Sequence, residues 1–230
     1  RLLLDGVQVG EVGSSPVFPL ENIDRGTHQL AVEIIDQQGR IIERTPSQPF
    51  HMRRTSLAEK RRVLEVGIGT GLNLPFYRRA GIRTLVGVDP GVEMQRMLRR
   101  RSEQAGIAVD LRSSTAEAMA FERASFDCVV CTYTLCTIPD PLAALREIRR
   151  VLRPGGRLLF AEHGVAPDAD VAKWQRRLEP LWSKVAGGCH LTRDVQALLQ
   201  AAGFEAAIES GYLKGPKLLS YHFWGEATAR

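Results

Sequence analysis

The stretch Arg62-Val63-Leu64-Glu65-Val66-Gly67-Ile68-Gly69-Thr70-Gly71 is an apolar strand, carrying one carboxylate, that runs straight into three alternating glycines. Glycine turns the backbone sharply and admits a ligand where a Cβ would block it, so the loop reads as one built for a nucleotide-type cofactor. A helix beginning at Gly71 is expected to aim its free N–H groups at that ligand. The dinucleotide fingerprint G-x-G-x-x-G does not fit, because its third glycine falls on Leu72 or Leu74 depending on the frame. The phosphate-loop pattern is absent too: no Gly-Lys-Ser/Thr follows, and the next basic residue is Arg78. Glu65 is the other clue. A carboxylate in an apolar strand is costly to bury unless a cation or a donor meets it, and an α-amino group on the cofactor would serve.

Outward from this loop, Thr84-Leu85-Val86-Gly87-Val88 reads as the neighbouring strand and ends at Asp89, where an acid suits a ribose diol. Thr115-Ala116-Glu117-Ala118-Met119 precedes a further strand, Phe126-Asp127-Cys128-Val129-Val130-Cys131-Thr132. Leu142, Leu145, Ile148 and Leu152 mark one face of a helix that stops at Arg153-Pro154-Gly155-Gly156, ahead of the strand Arg157–Glu162. Strand and helix alternate, the pattern of a parallel sheet with helices on both faces.

With these motifs in order, the chain resembles the class I S-adenosylmethionine-dependent methyltransferases: E-x-G-x-G-x-G at 65–71, V-D-P at 88–90, A-E at 116–117, F-D-x-V at 126–129 and L-R-P-G-G at 152–156. Within that superfamily, Cys131-Thr132-Tyr133-Thr134-Leu135-Cys136, Glu162-His163 and Trp182…Gly188-Cys189-His190-Leu191-Thr192-Arg193 are similar to the methyltransferase-like 7 group of small-molecule thiol methyltransferases and its bacterial relatives. The resemblance covers residues 62–230. It implies a Rossmann-like sheet of seven strands in the order 3-2-1-4-5-7-6, with Ala206–Glu209 and Leu218–Trp224 as the last hairpin and Leu219, Tyr221 and Phe223 on one side of the final strand. S-adenosyl-L-methionine is the cofactor it implies. Gly67, Gly69 and Gly71 would form the methionine-side loop, Glu65 would serve the amino group directly or through water, and Asp89 would take the ribose hydroxyls. Pro90 and Met94 would lie near the adenine, Ala116 and Glu117 on its other edge, and Thr132 at the methionine moiety. On the acceptor side His163 is the candidate general base for a thiol or hydroxyl, with a structural histidine as the alternative. Tyr133, Cys136, Trp182 and His190 are candidates to line the acceptor pocket, or else belong to the core.

Composition agrees with a globular protein, 44% hydrophobic and 25% charged, with no apolar run long enough to span a bilayer. The net charge of +5 is uneven: residues 1–54 hold six basic and seven acidic side chains, which leaves +6 on the rest. Arg96, Arg99, Arg100 and Arg101, and then Arg146, Arg149, Arg150 and Arg153, sit on expected helices, so they read first as solvated faces, with peripheral contact to anionic lipid left open. No nucleic-acid partner is expected, since neither an Asn/Asp-Pro-Pro-aromatic motif nor an RNA-binding appendage is found.

Residues 1–54 read as a small all-β module of short alternating strands (Leu2–Leu4, His28–Asp36, Ile41–Glu43, Gln48–Met52) with Asp-Gly and Asp-Gln-Gln-Gly turns. The run Asp24–Glu33 resembles the late strands of immunoglobulin-like modules in bacterial envelope proteins, here a partial one. Residues 55–61 form the expected linker. Relatives carry helices before the first strand that help close the pocket, and only Arg54–Arg61 stands in that place, so the lid is expected to be missing. The cofactor points to the cytoplasm, whereas the β module is of an envelope or periplasmic type.

Four cysteines invite a metal reading through Cys128-x-x-Cys131 and Cys189-His190. Residues three apart on a strand point to opposite faces, so the first pair cannot reach one ion, and free buried thiols without a metal are expected. Two functions stay open: methyl transfer to a small acceptor (a thiol, an amine, a phenol or a lipid headgroup), or a non-catalytic piece that at most binds the cofactor, its β module serving envelope interaction. The sequence leaves the acceptor and the oligomeric state unnamed.

Overall fold

A computed structural model describes residues 1–10, 26–36, 38–52 and 60–229. The chain divides into two compact units, residues 1–58 and 59–230. Asp24 and Arg25 of the immunoglobulin-like run, and Arg54–Glu59 of the expected linker and missing lid, lie outside the described residues.

The first unit is an antiparallel sheet of β1 (Leu2–Leu4), β2 (Val7–Gly10), β3 (Gly26–Ile35), β4 (Ile41–Arg44) and β5 (Gln48–Met52). Asp5 and Gly6 both take positive φ, 51° and 83°, the geometry of a tight hairpin turn that matches strand twist. Asp5 then accepts from the Gln29 N–H at 2.7 Å and meets His28 Nδ1 at 2.6 Å, which ties the turn to β3. Leu2, Leu3 and Ala31 are its buried apolar residues among those described.

The second unit holds β6 (Arg61–Val66), β7 (Ile82–Val88), β8 (Val109–Arg112), β9 (Phe126–Thr132), β10 (Leu152–His163), β11 (Phe204–Tyr212) and β12 (Tyr221–Ala229). They hydrogen-bond in the order β8-β7-β6-β9-β10-β12-β11, which is the expected 3-2-1-4-5-7-6. All neighbours are parallel except β12, which runs antiparallel to both β10 and β11. Both faces are covered. Leu98 of helix α1 (Gln95–Ala105) packs with Val63, Leu85 and Cys128, while Leu145 and Ile148 of α2 (Pro141–Val151) and Leu199 of α4 (Val195–Ala201) pack with Leu64, Val86 and Cys131. Cys128 and Cys131 thus lie in separate cores on opposite faces of β9. Asp140 and Asp194 cap α2 and α4 by accepting the N–H groups of Ala143 and Ala197, each at 2.9 Å. A fourth helix, α3 (Ala169–Val185), precedes α4. Among the described residues no helix is long and apolar enough to cross a membrane.

Three elements differ from expectation. Helix α2 ends at Val151 and β10 already begins at Leu152, taking in the expected turn at Arg153–Gly156. No α-helix begins at Gly71: the chain makes turns and two short 3₁₀ segments, Leu74–Phe76 and Arg79–Gly81. Pro75 falls where a helix capped at Gly71 would close its first N–H to C=O bond, and it disfavours the helical conformation at Leu74. The final strand starts at Tyr221, because Lys217–Leu219 form a 3₁₀ turn. Leu219 is therefore off the strand, while the Tyr221 and Phe223 rings do share a side, 5.3 Å apart.

Candidate functional site

Strands β6, β7, β9 and β10 end on one edge of the sheet, and the order reverses between β6 and β9, the place where open α/β sheets bind ligands. A cavity of about 460 Å³ opens there. Its walls are Gly67 and Gly69 after β6, Asp89, Pro90, Gly91 and Met94 after β7, Ala116 and Glu117 after β8, and Tyr133, Thr134 and Thr137 after β9. Asp89 organises the near wall. Its Oδ2 accepts from the Gly69 N–H and its Oδ1 from the Gly91 N–H, both at 2.8 Å, so one buried carboxylate fixes two loops and keeps lone pairs for a ligand hydroxyl. Gly67 (φ 70°) leaves no room for a side chain, since a Cβ would lie 2.2 Å from Thr134 Oγ1.

Three of the expected cofactor residues stand one step behind the wall. Glu65, 2% exposed, receives Asn73 Nδ2 at 3.0 Å on Oε1 and the Tyr77 hydroxyl at 2.8 Å on Oε2. Burial raises its carboxyl above the usual range, and the bonds from Tyr77 and Asn73 partly offset this. Thr132 Oγ1 is taken up by the same Asn73 amide at 2.8 Å. Gly71 serves packing: a Cβ there would meet Leu98 and Leu74 at 2.7 and 2.8 Å. Asn73, which the sequence reading passed over, couples the strand acid to the end of β9.

On the far side, Tyr133 sits at positive φ (51°) with its ring edge-on to His163 and His222, centroids 5.5 and 5.6 Å away. His222 was not anticipated; it faces His163 because β12 pairs with β10 in that register. Its Nδ1 donates to the Ser220 carbonyl at 2.8 Å, which fixes the tautomer if the ring is neutral. Glu162, fully buried, accepts the N–H groups of Thr134 and Leu135 on Oε1 (2.8 and 2.9 Å) and that of Cys136 on Oε2 (3.3 Å). It thereby holds the turn after β9. Burial pushes its carboxyl up to about 7 against the pull of those three donors.

Of the other acceptor-side candidates, Cys136 and Trp182 pack with Cys189 and Leu191 beside the cavity, away from its wall. His190 is tied off, its Nδ1 2.9 Å from Glu179 Oε1. Cys189 Sγ lies 3.7 Å from His163 Nδ1 and 3.8 Å from Nε2. The Cys136 thiol and the His163 imidazole favour a thiolate at Cys189, whose pKa falls to about 4, and the shared proton pushes Cys136 up. That contact with Cys189 in turn raises His163.

Residues 64–160 match the methyltransferase domain family. The chain is 38% identical over 146 residues to thiol S-methyltransferase TMT1B of Rattus norvegicus, covering 62% of this chain and 59% of the rat protein. It is 33% identical over 173 residues to human thiol S-methyltransferase TMT1A, covering 72% and 70%. The chain therefore spans less than two thirds of the rat protein's length. Among solved structures, a SAM-dependent methyltransferase from Methanosarcina mazei superposes with a TM-score of 0.60 at 20% identity, over 74% of this chain and 93% of that one.

Proposed function

The chain belongs to the S-adenosylmethionine-dependent methyltransferases, and from that premise we propose that it transfers a methyl group from S-adenosylmethionine to the thiol of a small molecule. The observation that carries the transfer is the cavity at the strand-order switch, bounded by the glycine turn and Asp89. The thiol rests on the identity with two thiol S-methyltransferases. When bound, the cofactor supplies a methyl group on a cationic sulfur that leaves by in-line displacement. This chain's residues then have two tasks, holding donor and acceptor in near-attack geometry and keeping the acceptor deprotonated.

For the first task, Gly67 and Gly69 cradle the methionine side, Asp89 accepts the ribose hydroxyls, and Pro90, Met94, Ala116 and Glu117 enclose the adenine. Glu65 meets the amino group through the Asn73 layer or a water. For the second, His163 serves the acceptor: it ends β10, and its ring meets Tyr133 at the cavity wall.

Calorimetric titration of the purified chain with S-adenosylmethionine and S-adenosylhomocysteine, then turnover on a panel of thiols, amines and phenols, tests this reading. Asp89→Ala is expected to weaken cofactor binding about 10- to 100-fold, the worth of charged hydrogen bonds. His163→Ala should lower thiol turnover by about a hundredfold and leave cofactor affinity unchanged. A folded chain that binds neither cofactor, or one that methylates amines or phenols and no thiol, would overturn it.

A further inference from the structure

Cys136, His163 and Cys189 come from three separate places in the fold: the turn after β9, the last residue of β10 and the loop between α3 and α4. Their sulfur and nitrogen atoms all lie within 4.8 Å of one another. We propose that these three side chains bind a divalent zinc ion whose fourth position receives the acceptor thiol. The zinc site stands on this geometry alone, and the role of its fourth position rests on the thiol-acceptor reading above.

Two thiols and an imidazole are a donor set that selects zinc over hard cations. A tetrahedral ion with Zn–S near 2.3 Å and Zn–N near 2.0–2.1 Å separates neighbouring ligand atoms by about 3.5–3.8 Å. The contact between Cys189 Sγ and His163 Nδ1, 3.7 Å, already has that length. Cys189 Sγ is also nearly equidistant from both ring nitrogens, so it lies along neither N–H direction, as a thiol–imidazole hydrogen bond would require. Binding an ion between the two residues therefore requires the His163 ring to turn until a nitrogen lone pair faces it. Cys136 and Cys189 are 3% and 6% exposed, and two thiolates neutralise a divalent ion in that apolar setting. The buried indole nitrogen of Trp182 packs on the same cluster and favours the Cys189 thiolate, and a metal-bound thiolate would keep that donor.

Three protein ligands and one open position are the pattern of reactive zinc sites, in contrast to closed structural ones. The opening lies toward the methyl donor, because Thr137, next to Cys136, and Tyr133, against the His163 ring, both line the cofactor cavity. A thiol that coordinates there loses its proton to solvent and is held as thiolate, so His163 serves the acceptor through the ion and not as a base that takes its proton. Its sulfur lone pair forms the new S–CH₃ bond as the bond from methyl to the cofactor sulfonium breaks. That electron pair stays on the cofactor sulfur, leaving two neutral thioethers, and the methylated acceptor is the poorer ligand and departs.

The full chain, purified under reducing conditions and dialysed against chelator, is assayed for zinc and then titrated with Co²⁺ without acceptor. The expected result is about one ion per chain and a thiolate-to-cobalt charge-transfer band. Both should be lost in Cys136→Ser, Cys189→Ser and His163→Ala, and kept in Cys128→Ser, whose thiol lies on the other face of β9. Circular dichroism and S-adenosylhomocysteine binding show that each variant is folded. His163→Ala keeps the site testable should a cysteine variant fail to fold. No retained zinc and no band in folded wild-type chain, or a Cys136–Cys189 disulfide in the reduced preparation, would overturn the metal site. Adding a small thiol to the cobalt form should shift the band, whereas an unmoved band with cobalt retained would overturn the open position. A metal site that binds with no thiol turnover would leave the coordination standing and remove the acceptor reading.

Discussion

At the scale of single residues, Glu65 is the point where stability and binding pull apart. Its carboxyl is buried in β6, and burial raises its pKa. A group whose folded pKa is raised contributes stability that is present below the unfolded value and is lost as pH rises through the folded one. Glu65→Gln removes this titration while leaving an oxygen for Asn73 and an amide for the Tyr77 hydroxyl. The stability of the wild type relative to Glu65→Gln, measured by urea unfolding without cofactor, should therefore fall as pH rises above the ordinary carboxylate range and level off once the buried acid has ionised. A flat difference would show that the acid carries no burial cost. In the same variant S-adenosylmethionine binding should weaken about tenfold, because a neutral amide no longer places a negative charge behind Asn73 toward the amino group. Glu65 and Asp89 were legible because an acid in or at the end of an apolar strand is a local signal. Asn73 was not, because its importance comes from contacts with residues 8 and 59 positions away.

At the scale of elements, the glycine turn after β6 separates two uses of the same residue type. Gly67 has both a positive φ and a neighbour at 2.2 Å from a would-be Cβ, whereas Gly69, also at positive φ, has nothing nearer than 3.7 Å. Gly67→Ala should destabilise the fold by about 2–4 kcal/mol, as backbone strain and overpacking add. Gly69→Ala should cost only about 1–2 kcal/mol, the left-handed penalty alone. Urea midpoints of the two variants decide it, and equal destabilisation would refute the packing argument. The strand-and-glycine signal was readable because it repeats within a few residues. The helix expected at Gly71 failed on one proline, since a pattern of apolar residues outweighs Pro75 only if the ring falls in the first turn. The grouping of Cys136, His163 and Cys189 was invisible for another reason. Spacing rules for metal ligands look for short runs, and these three are brought together only by the crossing of β9, β10 and the α3–α4 loop.

At the scale of the whole molecule, the order of the seven strands could be foreseen because five motifs in sequence carry the resemblance to a family that shares it, while the first unit offered only turn chemistry and alternation. The two units have separate sheets and separate cores, Leu2, Leu3 and Ala31 in one and the two clusters flanking β6–β9 in the other. A ligand that binds a native unit stabilises that unit alone, by about 2.7 kcal/mol at a hundred times its Kd. Calorimetry of the full chain should thus show two unfolding transitions. Saturating S-adenosylhomocysteine should raise the transition of residues 59–230 by about 5–10 °C, at 2–4 °C per kcal/mol for a domain of that size, and leave the other in place. A single transition, or equal movement of both, would mean that the sheets unfold as one cooperative body, and the N-terminal unit would then have to be counted among the parts that support the cofactor cavity.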